Sequence, residues 1–312
     1  MGIIRKDYIL DRWVYYAVER KKRPRELKSV AFKEESGICF FCPLNEHLTP
    51  PEIGRVEHKD SWKIRWFLNK FPAVEKKGNY KLKLEKFFSE SDSYGIHEII
   101  VETQHHTSQL ADLPVQQFRE VLEVYKLRIK ELSNLKGIKY VEVFKNQGKD
   151  AGTSLLHSHT QVVALPQVPT LVLEEVYAVK KYKKCPYCEI IKAEASSKRN
   201  IFETKNIIVI APFASRFNYE AWIFVKQHKK TMEELEEEEF QDLAFALKKI
   251  LVKLKKLNAS YNFFVHYSPE KENLHFHIEI TPRLATWGGF EISTNAVINS
   301  VLPEDAARFY RS

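Results

Sequence analysis

The feature that most limits how this chain can fold is a motif it carries twice. His157-Ser158-His159 lies on an apolar stretch and runs into Gln161, and His275-Phe276-His277 repeats that layout later in the chain. Each pair of histidines is preceded by a CxxC pair, Cys39-Phe40-Phe41-Cys42 and then Cys185-Pro186-Tyr187-Cys188. The doubling uses all four cysteines and predicts one fold built twice within 312 residues. We place the two units at 1–170 and 171–312, each the size of an ordinary domain.

Setting His106 over His228 brings the flanks of the two units into line. Glu98-Ile99-Ile100-Val101 then lies over Glu220-Ala221-Trp222-Ile223, extended in both. Leu113 meets Leu235, and each opens an amphipathic helix, roughly 115–134 and 233–257. A strand follows in each, 138–144 and 260–266, and Asn69-Lys70-Phe71-Pro72-Ala73 is similar to Ile210-Ala211-Pro212-Phe213-Ala214. This order predicts an α+β fold in which each unit is a mainly antiparallel sheet with a long covering helix. The copies part between their last two strands. There the first has Asn146-Gln147-Gly148-Lys149-Asp150-Ala151-Gly152-Thr153-Ser154, and the second the shorter Ser268-Pro269-Glu270-Lys271-Glu272-Asn273. Two glycines allow tight turns with converging N–H groups, the makings of an anion nest. The first unit is expected to hold a phosphate, and the second to be a degenerate copy.

Bulk properties narrow the class. A net charge of +8 favours anions in general, but the lysines crowd helical stretches such as 248–256, close to the acidic run 233–239. Such runs read as solvated helix faces and disfavour nucleic acid as the partner. No apolar run approaches the roughly 20 residues of a membrane span. The first residues carry neither an apolar leader core nor a small-residue cleavage site. A cytoplasmic protein is expected, in which paired cysteines serve as metal ligands before disulfides.

Zinc takes four nitrogen or sulfur ligands in a tetrahedron, two of them often from one CxxC. In the first unit Cys39, Cys42, His106 and one member of the HxH strand supply that set. In the second the equivalents are Cys185, Cys188, His228 and His275, with iron as an alternative metal. Closed four-ligand sites are structural. A zinc-dependent nucleic-acid-binding protein is the competing use of such pairs, but the first histidine lies far beyond compact finger spacing in both units.

Residues two apart on a strand share a face, so His157, His159 and Gln161 line up. If His157 holds metal, His159 stands beside the glycine-bearing loop with its ring unmetallated. A neutral imidazole nitrogen can attack phosphorus, and the phosphoramidate formed is labile enough to pass its group on. The other ring nitrogen needs an acceptor to fix the tautomer, and Gln161 can donate to a phosphate oxygen. The second unit has Glu279 in place of Gln161, a carboxylate that would repel phosphate. His277 is therefore expected to join His266 and Glu175 in a structural polar cluster or weak metal site.

These residues are similar to those of the histidine-triad superfamily, and in particular its duplicated transferase branch. The chain resembles the galactose-1-phosphate uridylyltransferase family and its plant-type ADP-glucose phosphorylase relatives over nearly its whole length. Arg12-Trp13-Val14, Glu19 to Pro24, Asn69 to Pro72, Phe144 to Gly148, Ser154 to Gln161 and Gly289-Phe290-Glu291 carry the resemblance. It implies that His159 is covalently nucleotidylated and that Gln161 holds the phosphate. It implies Asn146, Gly152 and Ser154 around the α-phosphate, Asn69 near the nucleoside, and Arg20 and Arg23 near the diphosphate. Phe290 and Glu291 fall where the family contacts the sugar, in some members across a dimer interface, so a homodimer is implied. Ser158 replaces the proline of typical uridylyltransferases, and Thr294-Asn295-Ala296-Val297 stands where a sugar-binding glutamine is expected. The second CxxC is shared more with the phosphorylase type. The expected activity is transfer of a nucleoside monophosphate from a nucleoside diphosphate sugar to a sugar 1-phosphate, with an ADP-sugar phosphorylase that uses phosphate as the alternative.

Overall fold

The computed structural model describes residues 3–17, 38–59 and 61–312. In chain order the strands are β1 (Ile3–Lys6), β2 (Trp13–Tyr16), β3 (Glu52–His58), β4 (Ser61–Leu68), β5 (Lys83–Glu85), β6 (Phe88–Glu90) and β7 (Ile96–Val101). Helix α1 (Val115–Ser133) leads to β8 (Tyr140–Gln147), β9 (His159–Leu165), α2 (Thr170–Val179) and α3 (Pro186–Ala195). The second unit continues with β10 (Asn200–Glu203), β11 (Ile207–Ile210), β12 (Ala221–Val225), α4 (Glu237–Lys256), β13 (Tyr261–His266) and β14 (His277–Pro282). It ends with α5 (Gly289–Thr294), β15 (Val297–Asn299) and α6 (Pro303–Arg311).

Ten of these strands form one antiparallel sheet in the order β10-β11-β12-β14-β13-β8-β9-β7-β4-β3. Its middle is the β13–β8 pair, where Asn262 opposes Asn146, and the strand order on one side mirrors that on the other. The mixed α+β class is as expected. The smaller sheet pairs β1 with β2 and, in parallel, β2 with β15.

Strand alternation sets which side chain meets which layer. Along β8, Val141, Val143 and Lys145 are buried, while Glu142, Phe144 and Asn146 on the other face are only half-buried. Helices α1 and α4 pack against each other over the first of these faces, presenting Phe118, Val121, Leu122 and Tyr125, and Leu243, Ala244, Leu247 and Leu251. Each fully buried Leu or Phe there contributes roughly 1.5–3 kcal/mol. The acidic run that looked like a solvated face also starts α4. Glu236 is its N-cap, Glu239 closes a capping box onto the Glu236 N–H at 2.7 Å, and Lys253, Lys255 and Lys256 fill the last turn. Both ends therefore suit the helix dipole.

The sheet register corrects the alignment of the two copies. Phe144 opposes Gln161 while Phe264 opposes Glu279, so Phe264 and not His266 is the counterpart of Phe144. Val101 opposes His159 while Phe224 opposes His277, so Val101 falls on Phe224 and not on Ile223. The reason lies in the connections. Four residues, 102–105, separate Val101 from His106 where three, 225–227, separate Phe224 from His228, and the stretch 257–260 after α4 is shorter than 134–139 after α1, which residue types alone do not reveal.

Candidate active site and metal centres

The first CxxC lies on a turn closed by Cys42 N–H to the Cys39 carbonyl at 3.3 Å, with Asn45 also donating to that carbonyl at 2.9 Å. Buried Arg65 donates to the Phe40 carbonyl at 3.3 Å and holds the turn against the sheet. The His157 Nδ1 stands 3.6 Å from both thiols, and the His106 Nδ1 lies 3.4 Å from the Cys42 sulfur. The ring of His157 is oriented from behind, because its Nε2–H donates to the Thr103 carbonyl at 2.7 Å.

The second site repeats this geometry on a different support. Cys185 caps α3, with Pro186 at the first helical position, and Cys188 follows within the first turn. The Cys188 sulfur is 3.5 Å from the Nδ1 of both His228 and His275, and the Cys185 sulfur is 3.9 Å from the latter. His275 Nε2–H donates to the Val225 carbonyl at 2.8 Å. In each site the four ligand atoms lie within 4.8 Å of one another.

The donor chemistry fits a metal ion. Burial keeps His157 neutral, down to about 4, and His275 likewise, at about 3. Burial and the neighbouring Cys39 thiol push Cys42 up to about 11, and Cys188 reaches about 12 beside Cys185. Two thiols crowded against neutral imidazoles are poorly placed without a cation and well placed with one. The structure thus selects His157 as the member of the first HxH that faces the thiols.

His157 falls in the bend just before β9, not on the strand as expected, and His159 opens that strand with the opposite tautomer. Its Nδ1–H donates to the His157 carbonyl at 2.9 Å, and its Nε2 makes no hydrogen bond among the described residues. Burial, and then the Lys145 charge, hold its pKa below the usual imidazole range, so the ring is neutral near pH 7. Phe41 packs edge-on at 5.3 Å between ring centres. A neutral imidazole fixed in this way offers the Nε2 lone pair as a nucleophile.

Gln161 lies one pleat along the same face. Its Oε1 accepts from His97 Nε2 at 2.9 Å, while His97 Nδ1 accepts the Ala73 N–H at 3.1 Å. That tautomer makes His97 Nε2 a donor, so Asn69 Nδ2 at 3.2 Å from the same nitrogen is a neighbour without a hydrogen bond to it. Burial lowers the pKa of His97 and keeps it neutral. With its carbonyl oxygen engaged, Gln161 keeps its NH2 group, which makes no hydrogen bond among the described residues, as a donor. His97 stands outside the sequence motifs because an isolated histidine carries no spacing signal.

The glycine-bearing loop is a single turn of 3-10 helix, Lys149–Ala151, between Gly148 (φ 86°) and Gly152 (φ 82°). At Gly148 a Cβ would lie 2.3 Å from the Ser260 hydroxyl, so only glycine fits. The expected nest is narrower than the sequence implied. The N–H groups of Ala151, Gly152 and Thr153 already bond within the turn, to the Gly148 and Lys149 carbonyls. Asn146 beside the loop is held by Asn262 of the second unit, which donates to the Asn146 Oδ1 and to the Ala151 carbonyl, both at 2.8 Å. This contribution from the other copy also went unseen, because it depends on the β8–β13 pairing. Ser154 is exposed at the loop's end.

The structure thus gathers His159, Gln161, Asn146, Gly152 and Asn69 around one face of the first unit. Phe290 on α5 packs edge-on against Tyr15 at 5.7 Å, Glu291 accepts the Gly288 N–H at 2.8 Å, and among the described residues no hydrogen bond or ring contact joins either to β9. Arg20 and Arg23 lie outside the described residues. The expected cluster of the second unit does form. Glu175, His266, His277 and Glu279 are all buried, with His266 Nδ1 3.0 Å from Glu175. A cavity of about 450 Å³ lined by Tyr8, Tyr182, Lys184 and Pro186 lies beside α3, away from His159.

Residues 4–169 match the family described as galactose-1-phosphate uridyl transferase, N-terminal domain, and residues 184–287 match scavenger mRNA decapping enzyme C-term binding. The chain is 35% identical to an ADP-glucose phosphorylase of Arabidopsis thaliana, over 99% of this chain and 92% of that protein. It is 30% identical to a galactose-1-phosphate uridylyltransferase of Thermotoga maritima, over 99% and 97%. The structure of an ADP-glucose phosphorylase from Arabidopsis thaliana with bound ADP-glucose superposes with a TM-score of 0.86 at 33% identity, covering 100% of this chain and 98% of that one.

Proposed function

The chain belongs to the galactose-1-phosphate uridylyltransferase family, and from that premise we propose a double-displacement nucleotidyltransferase whose nucleophile is His159. The observation that carries this reading is the pair of opposite tautomers two residues apart, at the bend before β9 and at its first residue. His157 turns Nδ1 to the thiols, and His159 buries Nδ1–H against the His157 carbonyl and leaves Nε2 unpaired.

In the first half-reaction the His159 Nε2 lone pair attacks the α-phosphorus of a nucleoside diphosphate sugar. The P–N bond forms, the bond to the bridging oxygen breaks, and the sugar 1-phosphate leaves. In the second, a phosphate oxygen of the acceptor attacks the same phosphorus, and the P–N bond breaks to restore neutral His159. The Gln161 NH2 group donates to a non-bridging oxygen as charge builds there. Asn146, Gly152 and Ser154 border the α-phosphate, Asn69 the nucleoside, and Arg20 and Arg23 are assigned to the diphosphate. Phe290 and Glu291, joined to β9 by no hydrogen bond or ring contact among the described residues, are assigned to the sugar site of a partner copy in a homodimer. Zinc suits both Cys2His2 sets and would fix the strand bearing His159 from one side. The seam between the copies is placed at 170/171, and the enzyme is assigned to the cytoplasm. No helix among the described residues is long and apolar enough to cross a membrane.

The acceptor is a sugar 1-phosphate in the uridylyltransferase reading. A phosphorylase reading, with ADP-glucose as donor and phosphate as acceptor, is favoured by Ser158, by the second metal site and by the Arabidopsis relative. Turnover of UDP-glucose with galactose 1-phosphate, measured beside ADP-glucose with phosphate, separates the two. Turnover of neither pair sinks the substrate assignment.

A further inference from the structure

Directly behind His159, on the face of the sheet that meets α1, sits a fully buried ion pair. Lys145 and Glu102 have no exposed side-chain surface, and Lys145 Nζ lies 2.7 Å from Glu102 Oε2. The other two ammonium hydrogens are also placed, on the Ser158 hydroxyl at 3.0 Å and the His159 carbonyl at 2.9 Å. Ser158 donates to Glu102 Oε2 at 2.6 Å, and the Thr160 and Tyr125 hydroxyls reach Glu102 Oε1 at 2.5 and 2.9 Å. Every member therefore grips the strand segment 158–160, and none touches the substrate face.

The second copy shows what the same place looks like without this device. By the sheet register Lys145 falls on Val265, Glu102 on Val225, Ser158 on Phe276 and Thr160 on Ile278. All four counterparts are apolar and completely buried. The fold is evidently content with a hydrocarbon core here. A buried ion pair generally gives no net stability over such a core, because desolvation offsets the Coulombic gain.

We propose that the Lys145–Glu102–Ser158 network is a positioning device, which locks the peptide planes on either side of the nucleophile so that His159 Nε2 keeps its line to the α-phosphorus. The inference rests on the reading of His159 as nucleophile. Lys145 and Glu102 are positioning residues. A misplacement of about 1 Å costs up to 10²-fold in rate.

The test is the double variant Lys145→Met/Glu102→Gln, which removes both charges and nearly conserves volume. Formation of the nucleotidyl adduct from UDP-glucose, and separately from ADP-glucose, would be followed by quenched intact-mass measurement. The expected result is a folded, metal-replete protein whose rate of adduct formation falls about 10²-fold while the substrate concentration at half-maximal rate moves less than threefold. The milder Ser158→Ala should lose about fivefold, and Ser158→Thr, which keeps the hydroxyl, should recover most of it. A double variant that transfers within threefold of the parent overturns the inference, and so does one that fails to fold, since the network would then serve stability. If the unaltered protein forms no adduct from either sugar nucleotide, the proposed function fails and takes this inference with it.

Discussion

The two halves of the sheet hold matching histidine strands in opposite circumstances. His159 and His277 both donate Nδ1–H to the carbonyl two residues earlier, at 2.9 and 2.8 Å. His159 keeps 6% of its surface exposed and His277 none. Tyr187 of α3 lies over the His277 ring at 5.1 Å, Phe224 stacks on it at 5.2 Å, and Glu279 stands where Gln161 stands in the first copy. The His277 Nε2 is accordingly buried without a hydrogen bond. The difference teaches that the Cys2His2-flanked strand is common to both copies, and that on the proposed reading activity needs three additions to it. These are an open face, a neutral amide donor and a glycine-bearing turn.

The contrast can be broken most severely at the nucleophile. His159→Asn should lower transfer by about 10⁴-fold or more, as loss of a nucleophile does elsewhere. His277→Asn should lose stability and leave the rate per folded molecule within about twofold. Steady-state kinetics beside thermal unfolding would show whether the copies differ as claimed. Next in size is the amide. Gln161→Glu imposes the second copy's carboxylate on the first and should cost about 10³-fold, against about 10²-fold for Gln161→Ala. Equal losses would remove the repulsion argument.

The metal sites should separate in the same direction. Cys42→Ser is expected to lose bound metal, stability and transfer together. Cys188→Ser should lose one metal and much stability, with kcat nearly preserved in the folded fraction, which metal analysis and kinetics on one preparation would reveal. His97→Ala, which frees the Gln161 carbonyl, should cost about tenfold, mostly in kcat.

The smallest effect concerns pH. Burial disfavours the charged ring of His266, but Glu175 more than offsets this and lifts its pKa to about 9. A folded-state pKa above the unfolded value of about 6.5 gives stability that is complete below pH 6.5 and lost as pH rises through about 9. Unfolding titrations should show a decline on the order of 2–3 kcal/mol from this pair across that window, which His266→Gln removes, leaving the smaller contributions of the raised Glu142 and Glu220 carboxyls. A flat profile between pH 6.5 and 9 would contradict the pairing.

What was legible in the chain was whatever repeats at fixed spacing. Cys39, Cys42, Cys185 and Cys188 announced two sites because CxxC and HxH recur in step, and the two long helices, α1 and α4, followed from apolar periodicity, whereas the shorter α2, α3, α5 and α6 did not. What required coordinates depended on register or on distant chain. Residue matching could not tell that Lys145 falls on Val265, because the turn after α4 is shorter. Asn262 and His97 act on the site only through strand pairing and a cross-strand hydrogen bond. The loop 146–154 looked richer in free N–H groups than it is, because a 3-10 turn satisfies several of its own.

The central claim is that His159 becomes covalently nucleotidylated. Incubation with UDP-glucose or with ADP-glucose alone, followed by intact-mass measurement and peptide mapping, tests it most directly. The account predicts a gain of one nucleoside monophosphate, lost on adding the acceptor and mapped to His159. A protein that turns over substrate with no such adduct, or with the adduct on another residue, would contradict it.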